Sequence, residues 1–318
     1  MAGETPAPGR FPDAGDASRL YPSPTPSGER ARWGPTTTRS ASWRALAALV
    51  RYAVHGNLVV SLAATSVAAT TAVLVGAPLN PLALFVVFAA TLFVYSADRV
   101  LDADVDATNL PRRAAFARRH GRTLVAASTL LYVAAVALAA ARDVRYVEFL
   151  TLPLVAVGVY SGLRAKRVFL AKNLLVGAAW EAVPLGVGAH ARRLDDPRVW
   201  LLAAWVGAVI TVAAVVFDVK DVPGDRAAGI DTIPVRYGPA ATRRVAAVAN
   251  AALAVVALVA AGALPGRFLV LLVLHGYVTA YVPFATPDRT ALFYGLVVDG
   301  EHVVLALVAL GLNSVGVL

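Results

Sequence analysis

The sequence contains no cysteine, and only 15% of its residues are charged. Without cysteine the chain has no disulfide bonds and no thiolate ligands for a metal, so nothing in it reports an oxidising compartment. With 58% hydrophobic residues and a mean hydropathy of +0.66, the chain is too apolar for a soluble domain of this length. The composition therefore predicts a protein that crosses a membrane several times.

Nine apolar segments are long enough to cross a bilayer, whose core requires roughly twenty residues of helix. They cover about residues 57–76, 79–97, 122–141, 145–163, 170–190, 199–217, 242–264, 267–284 and 291–312. We expect an all-α polytopic membrane protein over residues 41–318, with nine transmembrane helices around a central cavity. Residues 1–40 are rich in Pro, Gly, Ser, Thr and Arg and are expected to form a disordered cytoplasmic tail.

The positions of lysine and arginine predict the orientation in the membrane. Of the 29 basic residues, 23 lie in the N-terminal segment and in the loops after even-numbered spans, and six lie in the other loops. The positive-inside rule then places the N-terminus in the cytoplasm and the C-terminus outside the cell membrane. The net charge of +9 reflects this topology, so no nucleic-acid partner is expected, and the sequence implies no protein partner.

Two clusters of aspartates each follow about twenty apolar residues. The first has i, i+4, i+8 spacing, which would align its members on one helical stripe: Asp98, Asp102 and Asp106. The second contains Asp218, Asp221 and Asp225, and its Pro223 and Gly224 predict a helix end followed by a bent loop. Because both clusters follow even-numbered spans, we expect them on the cytoplasmic face and close to each other.

Grouped carboxylates at a membrane boundary repel one another and are costly to desolvate, so they mark a functional site by default. Carboxylates that hold Mg²⁺ while leaving positions for water and phosphate oxygens are a common way of binding a diphosphate. The alternative is that both clusters are solvated acidic loops without a ligand. The spacing favours a Mg²⁺-dependent diphosphate site.

The second cluster resembles the second aspartate motif of the UbiA superfamily of intramembrane prenyltransferases. That motif, D-x-x-D-x-x-G-D followed by a glycine and T-x-P, is matched by Asp218, Asp221, Gly224, Asp225, Gly229, Thr232 and Pro234. The family's first motif, N-D-x-x-D-x-x-x-D, is kept at Asp102 and Asp106, whereas Asp98 and Arg99 replace its first two residues. The family's Y-[ST] followed by a basic residue is similar to Tyr160, Ser161 and Lys166, with Asn173 beyond them.

The resemblance implies Mg²⁺-dependent transfer of a polyprenyl group from its diphosphate to a lipophilic acceptor in the membrane. The catalytic carboxylates would be Asp102, Asp106, Asp221 and Asp225, and these four would bind the metal with Asp98 and Asp218 as auxiliary ligands. The substrate-binding residues would be Lys166, Arg99, Tyr160, Asn173, Arg226 and Asp299.

Arg99 has three interpretations: it pairs with a neighbouring carboxylate, it contacts phosphate, or it indicates altered or lost activity. Asp299 and His302, three residues apart, would share a helical face and form a pair that contacts the acceptor or helps to deprotonate it, or a purely structural pair. Glu181 has the same two interpretations. His55, His120, His190 and His275 show no ligand spacing and are expected at the surface or the membrane interface.

The acceptor stays open among an aromatic or quinone precursor, a glycerol-phosphate lipid and a carotenoid. The altered first motif keeps open an inactive or terpene-cyclase-like relative. A transporter or a lipid-binding membrane protein is a further alternative, but transporters place ionisable residues near the bilayer midplane, whereas these clusters lie at its boundary.

Overall fold

The computed structural model describes residues 39–101, 107, 110–142, 144, 147–154 and 168–318. These residues form helices and turns, and no strand occurs among them. The features discussed below lie in the compact unit formed by residues 46–318. The α-helices of four residues or more are α1 (Arg39–His55), α2 (Leu58–Val75), α3 (Pro81–Leu101), α4 (Pro111–Ala141), α5 (Ala171–His190), α6 (Pro197–Ala228), α7 (Ile233–Tyr237), α8 (Pro239–Ala263), α9 (Leu271–Tyr281) and α10 (Glu301–Ser314).

Seven segments within the described residues are long and apolar enough to cross a membrane. They are Leu58–Val75, Pro81–Leu101, Pro111–Ala141, Pro197–Ala228, Pro239–Ala263, Gly266–Phe284 and Ala291–Ser314. The predicted fifth span corresponds to α5, a 20-residue helix that carries Lys172 and Glu181, and most of the fourth span lies outside the described residues. The all-α, multi-span fold is thus confirmed, while the count of nine stays a prediction.

Helices α2 and α6 form the centre of the bundle. Most of α2 is buried, and its many small residues allow neighbouring helices to approach closely. Helix α2 packs against α3, α5 and α10, and α6 packs against α5 and α8. Helices α5 and α6 approach each other closely at Gly177, where an added Cβ atom would lie 2.5 Å from the carbonyl oxygen of Gly207.

Helix α6 is longer than the apolar core of a bilayer. Its 32 residues span about 48 Å, against about 30 Å of hydrocarbon. It begins with Pro197 after Asp196, whose carboxylate accepts a hydrogen bond from the Arg198 N–H at 2.9 Å, and it ends before Gly229, whose φ of 67° is the left-handed conformation of a helix C-cap. The aspartates lie in the last third of this helix, towards one membrane boundary.

Candidate active site

The second aspartate cluster lies on one continuous helical face. Asp218, Asp221 and Asp225 occupy successive turns of α6 at i, i+3 and i+7. The predicted helix end at Pro223 is wrong, because α6 continues to Ala228. Pro223 is on the exposed side of the helix while Gly224 and Asp225 are buried, so the packing of the opposite face maintains the helix despite the missing N–H.

Two side chains from the start of α5 hold the Asp218 carboxylate. Lys172 Nζ lies 2.8 Å from its Oδ1, and Asn173 Nδ2 donates a hydrogen bond to its Oδ2 at 2.9 Å. Lys172 Nζ is also 3.6 Å from Asp225 Oδ2. Both oxygens of Asp218 therefore have protein partners, and Lys172 lies between two carboxylates that are seven residues apart.

Each of the other two aspartates has one buried oxygen that accepts no hydrogen bond from a described residue. Lys220 Nζ lies 2.5 Å from Asp221 Oδ2, whereas Asp221 Oδ1 and Asp225 Oδ2 are buried without a hydrogen-bond partner in the described part of the chain. Asp218 and Asp225 are each only 4% exposed. Solvated acidic loops are thus ruled out for this cluster, since burial of a charged group requires compensating partners.

The first cluster is described only at its beginning. Asp102 and Asp106, like Tyr160 and Lys166, lie outside the described residues. Arg99, at the end of α3, donates a hydrogen bond from Nη2 to Asn57 Oδ1 at 2.6 Å. Asn57 is 1% exposed and has a positive φ of 63°, which places it in the turn just before α2.

Basic side chains surround this turn. Burial, and after it the positive charges of Arg99, Arg113 and Arg51, lower the pKa of the nearby His55 imidazole to about 4. His55 is buried, so its predicted surface position is wrong. The neutral imidazole leaves arginine as the cationic group at this side of the site.

A pocket of about 270 Å³ connects these residues. Its polar lining is contributed by six segments of the chain and includes Asn57, Asp98, Arg99, Arg113, Lys172, Asn173, Asp218, Lys220, Asp221, Asp225, Asp299, Glu301 and His302. Tyr95, Trp180, Phe217 and Tyr294 provide aromatic walls. The pocket thus combines acidic, basic and aromatic surfaces within the helix bundle.

Two predicted residues are not in the pocket lining. Arg226 is exposed in the last turn of α6. The Glu181 side chain packs against Gly207, where an added Cβ atom would lie 2.5 Å from the Cγ atom of Glu181. Asp299 does line the pocket, but His302 faces a different carboxylate, with its Nε2 3.7 Å from Glu301 Oε1. The expected pair does not form, because Asp299 and Gly300 lie in a turn that separates the π-helical segment Tyr294–Val298 from the α-helix that begins at Glu301.

The family model for the UbiA prenyltransferase family matches residues 57–292, which is most of the chain and includes the second aspartate cluster. The chain belongs to the UbiA prenyltransferase family. This membership supports a prenyltransferase activity in a membrane, and it confirms the resemblance inferred from the aspartate motifs. A search of curated protein sequences found no match.

Two solved structures resemble this UbiA family member in fold. The apo structure of a UbiA homologue from Aeropyrum pernix K1 has 20% sequence identity and a TM-score of 0.57, and the match covers 79% of this chain and 98% of that one. A structure described for digeranylgeranylglyceryl phosphate synthase in membranes has 13% identity and a TM-score of 0.51, with 84% and 97% coverage. At these identities the likenesses show the fold alone.

Prenyltransferases of the UbiA family generally use a divalent metal to bind diphosphate, and the described residues fit that use in part. No group of three or more His, Asp or Glu residues arranged for a metal occurs within the described ranges. Asp221 Oδ1 and Asp225 Oδ2, which accept no hydrogen bond from a described residue, nevertheless provide two hard ligands on one helix face, which suits Mg²⁺. Asp102 and Asp106, the expected partners, lie outside the described residues.

Sequence analysis missed the roles of two lysines. The sequence patterns indicate no role for Lys172 beyond membrane orientation and no specific role for Lys220, yet both side chains pair with aspartates of the second UbiA motif. Lys220 adjoins Asp221, so adjacency was a usable signal. Lys172 is 46 residues from Asp218, and its neighbour Asn173 was the only indication that the start of α5 meets the motif.

Proposed function

We propose that this protein transfers a polyprenyl group from its diphosphate to a lipophilic acceptor in the membrane, in a reaction that requires Mg²⁺. The observation that carries the proposal is the acidic face of α6, where Asp218, Asp221 and Asp225 line a pocket that also holds cationic and aromatic side chains. Hard carboxylate oxygens suit Mg²⁺, cations suit phosphate oxygens, and an apolar wall suits an isoprenoid chain. Membership of the UbiA family supports the reaction class.

The metal would be held mainly by Asp221 and Asp225, together with Asp102 and Asp106. Asp98 and Asp218 are proposed as auxiliary ligands, although Asp218 is already bonded to Lys172 and Asn173. Bound Mg²⁺ would neutralise the negative charge that develops on the leaving diphosphate. The carboxylates thus serve to concentrate cations where the donor's phosphates bind.

Basic residues of the pocket would complete the diphosphate site. Arg99, Arg113 and Lys220 all line the pocket beside the acidic face. A guanidinium group can bind two phosphate oxygens at once, whereas an ammonium group acts as a compact charge. We propose that Arg99 contacts phosphate, with Lys166 as a further cation, because Arg99 already donates one hydrogen bond at the pocket from a fixed position.

In the proposed reaction the bond between the prenyl carbon and the diphosphate oxygen breaks, and its electron pair leaves with the diphosphate. The acceptor's nucleophilic atom supplies the electron pair of the new bond and then loses a proton. Trp180, Phe217 and Tyr294 line the pocket and exclude water, which would otherwise capture the prenyl cation. Tyr160 is proposed to contact the donor near that reacting carbon.

We further propose that the donor enters from the cytoplasmic side. Positive residues are concentrated in the segments that would flank the aspartates, and the positive-inside rule places such segments in the cytoplasm. The C-terminus would then lie outside.

The test is binding and transfer with purified protein in lipid. Radiolabelled geranylgeranyl diphosphate and a lipid extract of the host membrane are supplied with Mg²⁺ or with EDTA. We expect Mg²⁺-dependent donor binding and a labelled lipid product, and Asp221→Asn should reduce donor binding at least about tenfold, the scale of one lost charged interaction.

Asp231→Asn is the matched control. Asp231 lies after α6, forms a surface ion pair with Arg236 and does not line the pocket, so its loss should leave donor binding unchanged. Donor binding that is insensitive to EDTA and to Asp221→Asn would refute the proposal. Label released only as a free hydrocarbon would instead favour the cyclase-like alternative.

A further inference from the structure

A second polar group lines the same pocket at a distance from the aspartates. Glu301 and His302 begin α10, and His302 stacks against Trp180 of α5 with ring centroids 6.0 Å apart. Trp180 is eight residues from Lys172 along α5, which corresponds to a rise of about 12 Å. The Glu301 and His302 pair is therefore separate from the carboxylates and lysines proposed to bind the diphosphate.

Glu301 and His302 line the pocket, and each has one buried polar atom without a hydrogen-bond partner among the described residues. Glu301 and His302 are only 1% and 2% exposed, and Tyr281 donates a hydrogen bond to Glu301 Oε2 at 2.8 Å. Glu301 Oε1 and His302 Nε2 lie 3.7 Å apart, and neither has a hydrogen-bond partner among the residues described. A buried polar atom without a partner is unfavourable by about 1–3 kcal/mol, so these two atoms suit a polar group of a ligand.

A second buried histidine shows what a purely structural arrangement in this bundle is like. His275 of α9 is 3% exposed, which corrects its predicted surface position. Its Nε2 accepts a hydrogen bond from Trp205 at 3.1 Å, and its Nδ1 lies 2.8 Å from Asn250 Oδ1. Both ring nitrogens of His275 are thus satisfied by the protein, whereas His302, which lines the pocket, has a ring nitrogen without a hydrogen bond to any described residue.

Aromatic rings surround the open pair. Trp180 lies nearly parallel to the His302 ring, at 25°, and Trp205 meets it edge-on at 90°. Trp180 also donates a hydrogen bond to the Tyr95 hydroxyl at 3.0 Å, which fixes this wall of the pocket. A group that binds here needs an apolar body and one small polar end.

We propose that Glu301 and His302 form the acceptor subsite and bind the hydroxyl group of a lipophilic alcohol or phenol. The hydroxyl would donate to Glu301 Oε1 and accept from His302 Nε2. When its oxygen forms the bond to the prenyl carbon, the bond from that carbon to the diphosphate breaks and the hydroxyl proton passes to Glu301 Oε1. The proton transfer rests on the proposed function, whereas binding of the hydroxyl can be tested without a donor.

The binding test uses pairs of probes in which a methyl group replaces the hydroxyl hydrogen of one member, so that the ether cannot donate a hydrogen bond. Protein in detergent is titrated with 2-naphthol or 2-methoxynaphthalene, and separately with 1-decanol or decyl methyl ether, while the unfolding temperature is followed. Ligand binding to the native state raises that temperature. We expect stabilisation by the hydroxyl member of at least one pair and none by its ether, and the pair that responds distinguishes phenols from aliphatic alcohols.

The matched variants are Glu301→Gln and His302→Gln, with His275→Gln as the control for losing a buried histidine. Glu301→Gln and His302→Gln should each weaken binding of the hydroxyl probe about 10- to 100-fold, which is the affinity lost with one strong hydrogen bond. His275→Gln should leave the affinity for that probe unchanged. Equal responses to hydroxyl and ether probes, no response to either hydroxyl probe, or unchanged affinity in both Glu301 and His302 variants would overturn the proposal.

The Mg²⁺-dependent donor-binding assay separates this inference from the proposed function. If the hydroxyl probes bind as expected but donor binding is independent of Mg²⁺, the proposed reaction fails while the hydroxyl subsite stands. If donor binding is as proposed but the probes fail, only the subsite is lost. With both in place, Glu301→Gln should lower transfer to the bound hydroxyl probe while leaving donor binding intact.

Discussion

Replacing Lys172 with methionine removes the positive charge between two buried aspartates. Lys172 Nζ is 2.8 Å from Asp218 and 3.6 Å from Asp225, and both carboxylates are almost fully buried. At an effective dielectric constant near 20, the two attractions are worth about 6 and about 5 kcal/mol before the desolvation of the lysine is subtracted. Loss of one partner of a buried ion pair costs about 3–5 kcal/mol net, so we expect destabilisation on that scale in EDTA.

The same change should strengthen divalent-cation binding. Without the lysine, Asp218 keeps only its hydrogen bond from Asn173, and Asp225 loses its cationic neighbour, so a metal ion gains two less neutralised carboxylates. We expect Mn²⁺ to stabilise Lys172→Met more than the unchanged protein, with at least about a tenfold lower midpoint concentration, equivalent to about 1.4 kcal/mol. Unfolding in detergent, followed over a Mn²⁺ titration, measures both effects.

Two further variants make this experiment decisive. Arg236→Met breaks an exposed ion pair with Asp231 and should change stability by at most about 1 kcal/mol, without altering the Mn²⁺ response. Adding Asp218→Asn to Lys172→Met should recover part of the lost stability, because one unpaired buried charge disappears. If Lys172→Met is as stable in EDTA as the unchanged protein, or if its Mn²⁺ midpoint is unchanged, the ion-pair argument is refuted.

Two other predictions concern helix packing and orientation. Gly177→Ala should destabilise the protein by about 1–3 kcal/mol in thermal unfolding, because the new Cβ would lie 2.5 Å from a backbone oxygen of α6. The control is Gly186→Ala on the same helix, whose new Cβ meets no atom within 4 Å and should leave the stability unchanged or increase it. Because the chain has no cysteine, Arg226→Cys and Ser314→Cys can each be labelled alone in intact cells by an impermeant maleimide. We expect Ser314→Cys to be labelled in intact cells and Arg226→Cys to be labelled only after the cells are permeabilised. The opposite pattern would refute the proposed topology.

The sequence predicted those parts of the fold that depend on local patterns. Long apolar segments identified seven spans that the described residues contain, and the spacing of Asp218, Asp221 and Asp225 identified the acidic face. The same local reasoning failed at Pro223, because a proline predicts a helix end only when packing does not hold the following turn in place. Helix α6 is buried on the side opposite Pro223, so its packing outweighs the missing hydrogen bond.

The contacts of the candidate site could not be predicted in the same way, because they join residues that are far apart in sequence. Lys172 meets Asp218 across 46 positions, and Arg99 meets Asn57 across 42. The Asp299 and His302 pair failed for a different reason: the spacing argument assumed an uninterrupted α-helix, whereas a turn at Asp299 and Gly300 separates Asp299 from the helix that carries His302. Residue spacing is informative only within one regular helix.

The charges of the pocket explain why lysines accompany the second aspartate motif. Its described lining contains six carboxyl groups but only four lysine and arginine side chains, so the basic side chains are too few to pair with every carboxyl group inside the apolar bundle. Lys172 and Lys220 pair with aspartates of the motif, and a bound divalent cation would neutralise further carboxylates. A diphosphate brings further negative charge, so it can bind beside these carboxylates only together with cations. In the proposed reaction, donor binding would therefore be coupled to metal binding, and the acceptor would bind at Glu301 and His302, beside Trp180, which is about 12 Å further along α5 than Lys172.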